Sequence, residues 1–188
     1  LSRRRKGLRT GANLGERPSH HALGNAGLVE VLRDPAEPER ETGAEEEARI
    51  DVCGLGDDAE RWMNGGAANV ILDNLIAGGK AVPIVMVTTL GYGVNNGPAG
   101  AMAPESITGY TRSLLTEVMP AVERSYNVSR NREERAIAGL SMGGAETLYT
   151  ALNNLDKFAW IASFSGAFVM WPGAMPAPFI RRPRGAPR

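Results

Sequence analysis

The stretch Gly139-Leu140-Ser141-Met142-Gly143-Gly144 is where residue types and spacing in this chain outline a reaction. A serine hydroxyl keeps its proton at neutral pH and is a weak nucleophile, so its surroundings must activate it. The Gly-x-Ser-x-Gly pattern does this when the serine stands on a sharp turn between a strand and a helix. The flanking residues have those two patterns. RAIAGL (135–140) reads as a strand and MGGAETLYTALNNL as a helix. Gly139 and Gly143 allow backbone and helix to approach where a Cβ would clash. Ser141 then stands at the C-terminal edge of the strands, where open α/β sheets bind ligands. It also stands at a helix N-terminus, whose free N–H groups favour developing negative charge. The chemistry outlined is attack of the Ser141 oxygen on an acyl carbonyl, with the Met142 N–H as one oxyanion donor. The competing reading is a glycine-rich turn with an incidental serine.

The elements that must hold this turn alternate strand and helix. IDVCG (50–54) reads as a short strand. AANVILDNLIAGGK places Val70, Ile71, Asn74 and Leu75 at helical spacing and stops at Gly78-Gly79. PIVMVTTL (83–90) is a continuous apolar run of the kind found in strands covered on both faces. After the turn-rich GYGVNNGPAG, Pro104 suits the first turn of a helix carrying Ile107, Tyr110, Leu114, Leu115, Val118 and Val122. Pro120 predicts a kink or break in it. FAWIASFSG (158–166) is a further strand. The fold class expected is α/β, a mostly parallel sheet with flanking helices. The segment 49–170 is the folded unit. Residues 1–48 are expected to be charged, solvated and without strands. Residues 171–188 are Pro/Arg-rich and expected to be irregular.

Composition narrows the function classes. Lys+Arg and Asp+Glu balance at 21 each, which favours neither nucleic acid nor an acidic substrate. The RRRK cluster near the N-terminus lacks interleaved aromatics and reads as a solvated tail. A single cysteine, Cys53, rules out an intrachain disulfide and a multi-cysteine zinc site. Asp57-Asp58 lacks further ligands at metal spacing and reads as a loop, so no metal site is expected. No dinucleotide or phosphate-loop fingerprint occurs, and no cofactor is expected. The apolar runs are shorter than the roughly 20 residues that span a bilayer, so no membrane contact is expected. No signal-peptide pattern is visible. Leu1 rather than Met at the start is expected of an incomplete or trimmed reading frame. The oligomeric state is unreadable.

The segment NREERAIAGLSMGGAETLYTALNNLDKFAWIASFSGAF resembles the esterase D-type branch of the α/β-hydrolases. That branch includes feruloyl and acetyl-xylan esterases of carbohydrate esterase family 1, enterochelin-esterase-like proteins and mycolyltransferases. GDDAERWMNGGAANVILDNLIAGGKAVPIVMVTTLGYG is similar to the same group upstream, so the resemblance covers about residues 50–169. It implies a partial α/β-hydrolase fold and a serine carboxylic-ester hydrolase acting on small-molecule or polysaccharide-linked esters. It further implies Ser141 as nucleophile, Met142 N–H as one oxyanion donor and Leu55 N–H as the second. Cys53 stands where that group usually has His or Asp. Family analogy points to secretion. Trp62 and Tyr92 are candidate pocket residues, each with a packing or turn role as the alternative. Asp73, Glu117 and Glu123 read as solvent charges on helix faces.

The triad of this fold runs Ser, then Asp or Glu, then His along the chain. No histidine follows Ser141; the chain's two, His20 and His21, precede every strand read above. Asp156 is the sole aspartate after Ser141 and matches a connection rather than the catalytic acid. The expectation is an esterase-like chain, incomplete at both ends by truncation or frameshift and impaired in turnover. The alternative is an inactive fragment serving at most as a binding protein.

Overall fold

The computed structural model describes residues 19–22, 28–32, 47–52, 59–91 and 104–167. Its centre is a six-stranded sheet. The strands are β1 (Ser19–Ala22), β2 (Leu28–Leu32), β3 (Glu47–Val52), β4 (Ile84–Thr89), β5 (Arg135–Leu140) and β6 (Trp160–Phe164). Their order is β1-β2-β4-β3-β5-β6. β4, β3, β5 and β6 are mutually parallel, and β1 and β2 join antiparallel at the β4 edge.

The two antiparallel strands correct the expectation that residues 1–48 contain none. Their sequences, SHHA and LVEVL, are too short to show a period within a Pro- and Glu-rich stretch. Pairing supplies what local preference lacks: β2 is held along β4 from Val29↔Thr89 to Leu32↔Met86. β3 also begins earlier than the sequence suggests, at Glu47. The expected irregular tail, 171–188, lies outside the described residues.

β4 is buried on both faces from Val85 to Thr89, as its continuous apolar run predicts. One face carries α3 (Pro104–Ser113), a π-helical turn (Leu114–Val118), α4 (Met119–Ser125) and α5 (Met142–Leu152). Ile50, Val87 and Ile137 stand side by side on that face and pack with Tyr110, Leu114, Val118 and Phe158. The sequence predicts a kink or break at Pro120, yet the helical path runs on to Ser125. The π turn resolves the conflict: Met119 N–H bonds back to Leu114 O, and α4 restarts with Pro120 in its first turn. There the missing N–H costs nothing.

α1 (Arg61–Asn64) and α2 (Ala68–Ala77) follow β3. α2 ends as its glycines predict. Gly79 adopts φ +68°, Gly79 N–H bonds Ile76 O and Lys80 N–H bonds Leu75 O, closing the last turn. Glu123, expected to be a solvent charge, instead pairs with the buried Arg135 at 2.6 Å, and Arg135 Nε donates to Ser129 O at 3.0 Å. This ties the end of α4 to the start of β5, the strand that leads to Ser141.

Candidate active site

β5 delivers Ser141 and α5 leaves from it. At the junction Ser141 has φ 55° and ψ −115°, a region that residues with a Cβ rarely occupy. Three backbone bonds hold it there. Ser141 N–H donates to Phe164 O at 2.8 Å, and Ser141 O accepts from Ala167 N at 2.9 Å and Ala145 N at 3.2 Å. The first continues the β5–β6 ladder, in which Gly139 pairs with Ser163 and Leu140 with Phe164.

Close packing of α5 on the sheet makes so sharp a turn possible. A Cβ at Gly139 would collide with the Gly143 carbonyl and the Thr147 hydroxyl. A second tight contact lies at Gly144, where a Cβ would sit 2.7 Å from Ser163 Oγ and 2.9 Å from Gly166 Cα. The sequence paired Gly139 with Gly143, and the Gly143 carbonyl is what a Cβ at Gly139 would meet; Gly144 adds a second close approach. Ser163 Oγ donates to Gly144 O at 3.1 Å across this contact. Met142 opens α5, so its N–H has no acceptor within the helix.

Trp62 reaches the same sheet edge through β6. Its ring packs on Phe164, centroids 6.3 Å apart and planes at 57°. Phe164 is 47% exposed, and its carbonyl is the one that holds the Ser141 N–H. No motif or periodicity singles out Phe164. Its signal, apparent only in the register, is that it pairs with the residue preceding the nucleophile. Leu55 and Tyr92 lie outside the described residues, as do Cys53 and Asp57-Asp58. Asp156 is exposed beside Lys157, at 3.1 Å, in the connection to β6.

The histidines stay apart from the turn. His20 and His21 belong to β1, and β2, β4 and β3 lie between β1 and β5. Four strand spacings set the backbones of β1 and β5 roughly 19 Å apart.

Sequence reasoning also missed Glu146. Its carboxyl is buried within α5, and burial raises its pKa well above the ordinary carboxylate value. The available signal was a lone acid on a helix otherwise almost free of charge.

Known proteins share this fold. The Esterase family model, described as "Putative esterase", matches residues 44–181. An endo-1,4-beta-xylanase/feruloyl esterase of Xylanibacter ruminicola is 32% identical over 118 residues, 62% of this chain and 16% of that protein. The chain thus spans under a fifth of that curated relative. A ferulic acid esterase of Anaeromyces mucronatus, solved with ferulic acid, superposes with TM-score 0.66 at 21% identity, over 84% of this chain and 61% of that one. The enterobactin esterase of Shigella flexneri, solved with enterobactin, gives TM-score 0.65 at 18% identity, over 86% and 40%. These structures share the α/β-hydrolase fold with this chain. With the family model matched over well more than half its length, the chain belongs to the Esterase family.

Proposed function

We propose that this chain carries the nucleophile-bearing part of a serine carboxylic-ester hydrolase of the feruloyl esterase type, acting on acylated carbohydrate esters. Ser141 Oγ attacks the ester carbonyl carbon, and the carbonyl oxygen takes up the negative charge. The Met142 and Leu55 N–H groups hold that oxyanion. Collapse expels the alcohol, which takes up the proton the Ser141 hydroxyl gave up, and leaves an acyl-serine; water then cleaves this to the free acid and returns a proton to Ser141 Oγ. The observation that carries this reading is the Ser141 backbone, held at φ 55° at the head of α5 by its bond to Phe164 O. Trp62 against Phe164 offers an aromatic wall for the acyl group, and Tyr92 is the second pocket candidate. The names of the relatives support an ester substrate of this class.

A second reading, an inactive or impaired esterase-like chain, is favoured by His20 and His21 lying on β1. Loss of the general base alone removes about 10²–10⁴ in rate, and loss of a cooperating triad member up to about 10⁶. A fluorophosphonate ester followed by intact-mass and peptide analysis tests the assignment of the nucleophile. One phosphonyl group on Ser141, absent in Ser141→Ala, is the expected result. No adduct under prolonged exposure, or an adduct on another residue, rejects it.

A further inference from the structure

Glu146 is a buried acid that the ester chemistry leaves unused. Its side chain is 2% exposed, and its Oε2 has no hydrogen-bond partner among the described residues. What it touches is Gly91, two residues past the end of β4. A Cβ at Gly91 would run into Oε2 and lie 2.9 Å from Cδ and 3.1 Å from Oε1. The carboxyl therefore comes up against Gly91 with Oε2 foremost, bridging α5 to the point where the chain leaves β4. The strand end is also anchored from α3, where the Thr89 and Tyr110 hydroxyls bond at 2.8 Å.

An unpaired carboxyl in this position costs free energy that an apolar side chain would avoid. Such local misfits concentrate at functional sites. A role as the base for Ser141 does not follow. Its Oε2 is seated against Gly91 and bonds no hydroxyl among the described residues.

We propose that Glu146 is a positioning residue of the candidate active site: its carboxyl seats Gly91 and so holds the exit of β4 in place, at the sheet edge that carries Ser141. The purpose of this seat rests on the esterase reading; its geometry does not.

Hydrogen exchange on the full chain tests it, read peptide by peptide by mass spectrometry. In Glu146→Ala, amides at 90–93 exchange about tenfold faster while those of 135–140 are unchanged. Glu146→Gln, which keeps the shape, stays within about twofold of wild type. Gly91→Ala lowers the melting temperature in wild type, and that drop shrinks to under half in the Glu146→Ala background, where the added methyl finds room. Should Glu146→Ala fail to fold, Glu146→Asp, which retracts the carboxyl by one methylene, is read in the same way. Uniform acceleration across the protein, a Gln variant that behaves like Ala, or an undiminished Gly91→Ala penalty overturns the inference. None of these readouts needs ester turnover, so a failure of the proposed reaction and a failure of this seat are separable.

Discussion

Replacing Ser141 with glycine should make the protein more stable, while replacing it with alanine should not. At φ 55° and ψ −115° the serine Cβ is crowded by its own backbone. Such conformations cost about 1–3 kcal/mol for a residue with a Cβ. Glycine relieves that cost but loses about 0.5–1 kcal/mol through the greater freedom of the unfolded chain. The difference is about 0–2.5 kcal/mol, which for a chain of this size raises the melting temperature by up to roughly 10 °C. Alanine keeps the Cβ and hence the strain, so it isolates removal of the hydroxyl. The assay is thermal unfolding of wild type, Ser141→Gly and Ser141→Ala by circular dichroism at one scan rate. A glycine variant no more stable than the alanine variant would refute the claim that the backbone at the nucleophile is held under strain.

Other consequences are equally measurable. Glu146 holds its proton in the folded protein at pH values where the unfolded chain has released it, because burial raises its pKa well above 4.5. The stability tied to that proton is fully present below the unfolded value and is lost as pH rises through the folded one. Glu146→Gln should therefore gain on wild type in melting temperature as pH increases from about 4.5; parallel pH profiles would contradict this. Glu123→Ala leaves the buried Arg135 guanidinium without its counter-charge and should cost about 3 kcal/mol, measured by urea unfolding. Gly144→Ala places a methyl 2.7 Å from Ser163 Oγ and should cost about 1–3 kcal/mol in the same assay. Changing both His20 and His21 to Ala should leave the rate of Ser141 labelling by a phosphonate unchanged, since β1 lies four strands from β5.

How far the sequence alone foretold this molecule depends on where each element's stability comes from. β5 spans 135–140 as read, because β-branched and small apolar residues run directly into the Gly-x-Ser-x-Gly turn. The end of α2 was visible in Gly78-Gly79, since only glycine closes that turn without strain. β1 and β2 were hidden because four and five residues within a charged, Pro-rich stretch are too short to show a period; pairing holds them, β2 along β4 and β1 along β2. The path through Pro120 depends on a π turn that no composition rule foretells. At the site, the Ser141 turn was readable from five residues. Phe164 and Glu146 were not, because their importance lies in contacts across the sheet, with Ser141 and Gly91 respectively.

Chemical rescue probes the central proposal, that Ser141 is a presented nucleophile and that neither His20 nor His21, the two histidines of this sequence, serves as its base. Hydrolysis of methyl ferulate is followed against imidazole concentration for wild type and Ser141→Ala, with the uncatalysed imidazole rate subtracted. The account predicts scant turnover without imidazole, a rise with imidazole in wild type, and no rise in Ser141→Ala. Identical curves for the two proteins would contradict Ser141 as the attacking group, and vigorous Ser141-dependent turnover without imidazole would contradict the missing base.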